Sequence, residues 1–151
     1  MMIKIIAVGK IKEDFYTDAV AEYVKRLGGY TKLSIIQVPD EKSDEKTLEK
    51  EAEHILRNIN EHDYVITLEI KGKKFSSEGF ADLIEQLEIS GRSDMTFIIG
   101  GSLGLSPRVS ERADQKISFS DMTFPHQLMR VILLEQIYRA YKIIRHEPYH
   151  K

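Results

Sequence analysis

Short apolar runs alternate with longer amphipathic segments five times along this chain, and that alternation constrains the fold more than any other feature. The runs that read as strands are Ile3–Val8, Leu33–Val38, Tyr64–Ile70, Met95–Ile99 and Lys116–Phe119. Parallel strands need a crossover helix between them, so this order predicts a mainly parallel sheet with helices on both faces. With 151 residues and no repeat or linker, we predict a single α/β domain over residues 1–151.

Local signals mark where the helices begin and end. The first helix is predicted over Asp14–Leu27 and ends at Gly28-Gly29, and the second is capped by Ser43 or Asp44. The third begins at Ser76 or Ser77. A short fourth helix runs from Ser106-Pro107 through Ala113, and the last begins at Pro125.

Composition excludes several classes of protein. The chain has no cysteine, which rules out disulfides, thiolate metal sites and cysteine nucleophiles, and we expect no metal. Its N-terminus reaches charged residues too early for a signal peptide, and no run approaches membrane length, so we expect a cytoplasmic protein with no membrane partner.

The net charge is −2, but residues 116–151 hold six Lys or Arg against three acids. Any RNA partner would therefore be recognised by shape or through a second subunit rather than by a strong general field.

The last helix is apolar over most of its circumference. Four of its polar residues, Glu135, Arg139, Lys142 and His146, fall in one narrow stripe. A helix that packs on a sheet alone needs a narrower apolar face. The pattern favours a second partner, most simply a copy of the chain in a homodimer; a thicker cover within the chain is the alternative. Glu135 and Arg139 read either as an exposed i,i+4 pair or as residues that line a cleft, and their spacing does not decide between the two.

A glycine-rich loop with Gly100, Gly101 and Gly104 follows the fourth strand, at the edge where parallel sheets bind ligands. It is not a phosphate-binding P-loop, because Leu105-Ser106 replaces the required Lys-Ser/Thr. A dinucleotide fingerprint is also missing, since only Gly9 follows the first strand, and Asp40 or Glu41 after the second strand is a weak match to a ribose-binding acid. A loop that only turns the chain remains an alternative.

A second loop, Ser118–Pro125, follows the fifth strand and interleaves polar groups with Phe119, Met122 and Phe124. Apolar faces that enclose a base, with backbone groups that bind its edge, suit an adenine pocket. The two loops together therefore favour a nucleotide-like ligand.

Long stretches of the chain resemble the ribosomal RNA large-subunit methyltransferase H family of the SPOUT class. The matching stretches are TLEIKGKKFSSEGFA, FIIGGSLGL, SFSDMTFPHQLMRVILLEQIYRAYKI and the terminal EPYHK. The resemblance implies a C-terminal trefoil knot, which general rules of chain topology would not propose. It also implies a homodimer, S-adenosylmethionine as cofactor, and methylation of N3 of a pseudouridine in large-subunit (23S) ribosomal RNA on the assembled ribosome.

The same resemblance implies the site residues. The implied cofactor residues are Leu68, Gly100, Phe119, Ser120, Asp121, Met122, Thr123 and Phe124. The methyl acceptor is expected to be enclosed by the partner subunit's tail, with Tyr149 and His150 over the base and with Glu135 and Arg139 facing the cleft. His150 and Glu135 are the candidate general bases, and Arg139 is a candidate ligand for phosphate or for developing negative charge.

Two other functions remain open from the residues. A doubly wound fold with a nucleotide pocket also suits an enzyme that acts on a small molecule, for which tight NAD binding would be diagnostic. A ribosome-binding factor without activity would sediment with ribosomes but transfer no methyl group.

Overall fold

A computed structural model describes residues 2–40, 46–92 and 94–151 of the chain. Ten elements alternate, as the sequence predicts. They are β1 (Met2–Val8), α1 (Asp14–Leu27), β2 (Lys32–Val38), α2 (Thr47–Arg57), β3 (Tyr64–Lys74), α3 (Ser77–Ile89), β4 (Asp94–Ile99), α4 (Pro107–Arg112), β5 (Gln115–Ser118) and α5 (His126–Ile144). The largest difference from the predicted boundaries is at β3, which continues four residues past Ile70.

The five strands form one sheet in the order β2-β1-β4-β3-β5, and every neighbouring pair is parallel. The carboxyl ends of all five strands therefore lie along one edge, together with the loops that follow them. Both loops singled out in the sequence, after β4 and after β5, are at this edge.

Helices cover both faces of the sheet, which confirms the predicted architecture. In β1, Ile3, Ile5 and Ala7 face the core shared with α1, α3 and α5, whereas Ile6 and Val8 face the core shared with α2 and α4. All five side chains are almost fully buried, and each of the larger ones contributes about 1.5–3 kcal/mol of transfer free energy.

The caps that lie in described residues agree with the sequence. Ser76 caps α3, with its Oγ accepting a hydrogen bond of 3.0 Å from the Gly79 N–H. Ser106 caps α4 and accepts from the Arg108 N–H at 3.2 Å, with Pro107 at the first helical position. The predicted caps Ser43 and Asp44 lie outside the described residues.

Helix α5 packs between α1 and α3 as well as on the sheet. Leu133, Leu134, Ile137 and Ala140 are buried on its inner side, while Val131 and Ile132 remain half-buried. Cover within the chain thus accounts for part of the broad apolar surface, and the homodimer stays a prediction. Across the described ranges, no helix combines the length and apolar content needed to cross a bilayer.

Candidate active site

The loops after β4 and β5 enclose a cavity of about 160 Å³ at the carboxyl edge of the sheet. Seven of the eight sequence-predicted cofactor residues line it: Leu68, Gly100, Phe119, Ser120, Met122, Thr123 and Phe124. The eighth, Asp121, points outward; its side chain is 76% exposed and forms an ion pair with Lys74.

The glycine loop is folded tightly on itself. The Gly104 N–H donates to the Gly101 carbonyl at 3.0 Å, and Gly104 adopts a φ of 78°, in the left-handed region that glycine tolerates. A Cβ atom on Gly100 would lie 2.6 Å from the Gly104 carbonyl oxygen. The glycine at position 100 is therefore required by the loop's own backbone, at the wall of the cavity.

We expect Gly100→Val to weaken binding of an adenosine-containing cofactor by about 10- to 100-fold, because overpacking of this kind costs about 1–3 kcal/mol. The added side chain would force the loop open and into the cavity. Isothermal calorimetry with S-adenosylmethionine measures the effect. Gly29→Val is the matched control, since a Cβ there meets no atom within 4 Å. Equal affinity in the two variants would contradict the role given to Gly100.

The loop after β5 is braced by its own side chains. Ser118 Oγ donates to the Ser120 carbonyl at 3.0 Å, and Ser120 Oγ accepts from the Met122 N–H at 3.0 Å. These bonds fix the backbone between Phe119 and Phe124, so both rings are held at the cavity wall.

Leu68 reaches the cavity because β3 changes register beside it. The pairing of β3 with β5 shifts between Leu68 and Lys73, with Ile117 facing both residues in turn. Gly72 lies inside this irregularity, where a Cβ would come within 2.7 Å of the Ile117 backbone. Sequence reasoning missed Gly72; a glycine within a strand pattern is the signal that indicates such a close approach.

Glu69 also lines the cavity and was not predicted. Its carboxylate accepts hydrogen bonds from Ser110 Oγ at 2.8 and 2.9 Å and from Thr67 Oγ1 at 2.6 Å. The bonds from Ser110 tie the middle of β3, next to Leu68, to α4, the helix that follows the glycine loop.

A second cavity of about 180 Å³ lies on the other side of Phe119 and Phe124, which line both spaces. Its polar groups are Ser76, Ser77 and Gln136. Ser77 Oγ donates to Gln136 Oε1 at 2.8 Å, which links the start of α3 to α5.

The C-terminal tail folds back along α5. His146 has a φ of 55°, and the following Glu147 N–H donates to the Lys142 carbonyl at 2.9 Å, so the helix ends in a tight reversal. This reversal places Tyr149 and His150 beside residues that precede them by two or more helical turns.

The structure brings all four predicted catalytic residues into one cluster. Arg139 donates to both carboxylate oxygens of Glu135, at 3.1 and 2.8 Å, and Tyr149 Oη donates to Glu135 at 2.7 Å. The Arg139 guanidinium lies over the Tyr149 ring at 4.7 Å. Glu135 and Arg139 are 18% and 24% exposed, so they are not the fully solvated pair that one interpretation of their spacing favoured.

Hydrogen bonds within the cluster set the protonation of its members. Burial, followed by the bond to Glu135, raises the pKa of the Tyr149 phenol, so this group stays protonated and donates at neutral pH. The two hydrogen bonds that Arg139 donates to Glu135 raise the pKa of the guanidinium. The pair thus holds a fixed cation beside a carboxylate that already accepts four hydrogen bonds, two from Arg139 and one each from Tyr149 and Gln136.

His150 lies between a cation and an anion. Its Nδ1 is 3.1 Å from Arg139 Nη1, and its Nε2 contacts the Glu78 carboxylate. Arginine only donates, which assigns Nδ1 as the acceptor and places the proton on Nε2, facing Glu78. In this arrangement His150 has no lone pair available to accept a proton. Glu78 was missed in the sequence, because nothing local relates it to a residue 72 positions away.

Within one chain the tail cluster does not line the cavity between the two loops. It borders the second cavity instead, through Gln136, whose Nε2 donates to Glu135 Oε1 at 3.1 Å. The predicted cofactor residues and the tail residues therefore form two groups, and the rings of Phe119 and Phe124 in the first group face both cavities.

Comparisons with known proteins give one consistent result. The chain matches, over residues 1–150, a family model described as predicted SPOUT methyltransferase. It is 56% identical to a protein from Carboxydothermus hydrogenoformans and 53% identical to one from Enterococcus faecalis, each named ribosomal RNA large subunit methyltransferase H, with 100% of both chains covered in each case. A solved structure described as a probable methylase family protein from Haemophilus influenzae Rd KW20 shares the fold, with a TM-score of 0.57 and 13% identity over 99% of this chain and 70% of that one.

Proposed function

Because this chain belongs to the SPOUT methyltransferase family, we propose that it methylates N3 of a pseudouridine in large-subunit (23S) ribosomal RNA on the assembled ribosome. The observation that carries the proposal is full-length identity above one half to relatives named for ribosomal RNA methylation. The pocket at the carboxyl edge supports it independently, since it is built from the loops that the sequence had indicated for a nucleotide-like ligand.

The residues of the first cavity fit the adenosine part of S-adenosylmethionine. Leu68, Ile117 and Phe124 supply apolar faces, and the loops after β4 and β5 supply backbone N–H and carbonyl groups at the rim. At about 160 Å³ the enclosed space is smaller than a whole cofactor requires, so the remainder would extend beyond the two loops. When bound, this cofactor supplies an electrophilic methyl group on a sulfonium.

The protein's own part in such a transfer is mainly positioning. The rings of Phe119 and Phe124 orient the planar part of the ligand, and the braced loops exclude water from it. N3 of the acceptor must lose a proton, and Glu135 and His150 remain the candidate groups to receive it. In the arrangement seen here both are already engaged by Arg139, so accepting that proton requires the acceptor to displace one of these bonds.

A homodimer completes the proposal. The tail cluster of one chain lies away from that chain's own cofactor cavity, whereas a partner subunit's tail is free to close it. In that assembly Tyr149 and His150 of one protomer would cover the acceptor base next to the cofactor of the other. The trefoil knot that the resemblance implies at the C-terminal half belongs to the same proposal.

Transfer of a labelled methyl group from S-adenosylmethionine to ribosomes that lack the modification tests the function. Assembled ribosomes and free large subunits are assayed side by side, and the labelled nucleoside is identified by mass spectrometry. Methylated pseudouridine from assembled ribosomes is the expected result. Failure of transfer to both, with an active control enzyme on the same ribosomes, would overturn the proposal and favour a ribosome-binding factor without activity.

A further inference from the structure

A larger cavity, of about 590 Å³, lies at the carboxyl ends of β1 and β2, beside the cofactor cavity. Its lining includes Gly9, Lys10, Lys12, Asp40, His126 and Gln127. His126 also lines the first cavity, so the two spaces meet at the start of α5. The proposed methyl transfer assigns no role to this third cavity.

Its basic side chains belong to a loop that is held in place. Lys10 and Lys12 are exposed, and the Lys12 backbone N–H donates to Gln127 Oε1 at 3.0 Å. That bond fixes the loop after β1 to the first turn of α5. Helix α5 has 19 residues and begins at His126, and no described side chain caps it. The free N–H groups of its first turn are therefore directed toward the loop that carries Lys10 and Lys12.

A buried cation lies directly behind this cavity. Arg130, one turn further along α5, is 2% exposed, and its Nη2 donates to the carbonyls of Val8 and Gly9 at 2.9 and 2.6 Å. Its Nε and Nη1 are buried and have no hydrogen-bond partner among the described residues. Burial lowers the pKa of this guanidinium, but arginine remains charged at neutral pH. Its positive potential therefore extends past Gly9 into the cavity that Gly9 lines.

Among the described lining residues, Asp40 is the one acidic group that faces these cations. An ideal Cβ built on Gly9 would lie 3.6 Å from Asp40 Oδ2 and 3.8 Å from His126 Nε2, so the carboxylate and the imidazole converge over a glycine whose φ is 91°. A carboxylate that lies beside basic groups suits a ligand that has both an anion and a hydroxyl donor. The sequence contained this pairing as a glycine after β1 and an acid after β2, without the fingerprint that usually accompanies it.

We propose that this cavity binds one ribose-phosphate unit of the RNA substrate. The phosphate is bound by Lys10, Lys12 and the N-terminus of α5, and Asp40 accepts a hydrogen bond from the ribose 2′-hydroxyl. The inference rests on the proposed function, which makes RNA the substrate. It explains how a chain of net charge −2 binds RNA, because positive potential is concentrated next to the cofactor rather than spread over the surface.

The test compares Lys10→Gln/Lys12→Gln with the matched control Lys32→Gln/Lys50→Gln, which removes the same charge from two other exposed lysines. Affinity for assembled ribosomes that lack the modification is measured over about 50–200 mM salt. We expect the test variant to bind at least about 10-fold more weakly, with the logarithmic salt slope reduced by about 1, and the control to match the wild type. Asp40→Asn should also bind more weakly, but with an unchanged slope, because the hydroxyl contact releases no counterion.

Three results would overturn the inference. The first is identical binding by the test and control variants. The second is a loss of S-adenosylmethionine affinity in the test variant, which would assign the lysines to the cofactor's carboxylate. The third is loss of ribosome binding when adenosine monophosphate or inorganic phosphate is added at the concentration that saturates the free protein. That result would indicate a free anion rather than RNA as the ligand of the cavity. Because binding is measured apart from turnover, a wild type that binds through these lysines without methylating would refute only the proposed function.

Discussion

Deleting Pro148–Lys151 is expected to abolish methyl transfer while leaving S-adenosylmethionine binding and the proposed dimer intact. The tail carries Tyr149 and His150, and both are held by Arg139 and Glu135 rather than by the loops of the first cavity. The first cavity is therefore complete without the tail. What is lost is the group of side chains that would cover and orient the acceptor, and loss of such groups costs about 10²–10⁴-fold in rate.

Single-turnover methylation of assembled ribosomes measures this effect, with calorimetry for S-adenosylmethionine and light scattering for the mass of the assembly. Tyr149→Phe is the graded comparison. It keeps the ring, which packs edge-on against Tyr138 at 4.9 Å, and removes only the hydroxyl that donates to Glu135. It should lose less activity than the truncation. A truncated chain that still turns over would show that the tail has no part in the reaction, and a monomeric wild type would refute the composite site.

The fold was predictable where a local pattern repeats, and less so where distant segments meet. Apolar runs and helical patterns give all ten elements, and the caps Ser76 and Ser106 are recognisable because capping depends on neighbouring residues. The extension of β3 was missed because its last residues, Lys71-Gly72-Lys73-Lys74, are polar. They form a strand because β5 pairs with them after the register shift, and that pairing depends on strand order.

The candidate site shows the same division. Gly100 and the loop residues from Phe119 to Phe124 follow strands and carry their own signals, so the place of all of them except Asp121 at the cavity wall was predictable without the structure. Glu78 and Arg130 were not. Each acts through a partner more than 70 residues away, His150 for the first and the carbonyls of Val8 and Gly9 for the second. The SPOUT resemblance supplied Leu68 and the tail residues, which no pattern in the chain indicates by itself.

Opposite the candidate active site, at the amino edge of the sheet, a buried ion pair joins β1 to the start of β3. Lys4 Nζ lies 3.1 Å from Asp63 Oδ2, with the two side chains only 15% and 6% exposed. The same oxygen accepts from the Asn60 N–H at 2.9 Å and from Thr96 Oγ1 at 3.1 Å. Burial acts to raise the pKa of Asp63, but these hydrogen bonds and the charge of Lys4 outweigh it and hold that pKa below its ordinary value.

Asp63→Asn should therefore lower the free energy of unfolding by about 3 kcal/mol near neutral pH, because it leaves the largely buried Lys4 ammonium without its counter-ion. For a chain of this size that corresponds to a fall of about 6–12 °C in the melting temperature. Asp94→Asn is the matched control: it makes the same change at an exposed position on the same edge, where we expect less than about 0.5 kcal/mol.

The pH dependence of this difference separates the ion pair from simple packing. Since the folded pKa of Asp63 lies below its unfolded value of about 3.9, the stabilisation is fully present above that value and is lost as the pH falls through the folded pKa. Urea unfolding of the wild type and of Asp63→Asn should thus give a constant gap from about pH 5 to 8 that narrows below about pH 4. A gap that stays constant into acid would mean that the asparagine disturbs packing around Thr96, and that the charge of Asp63 contributes nothing to stability.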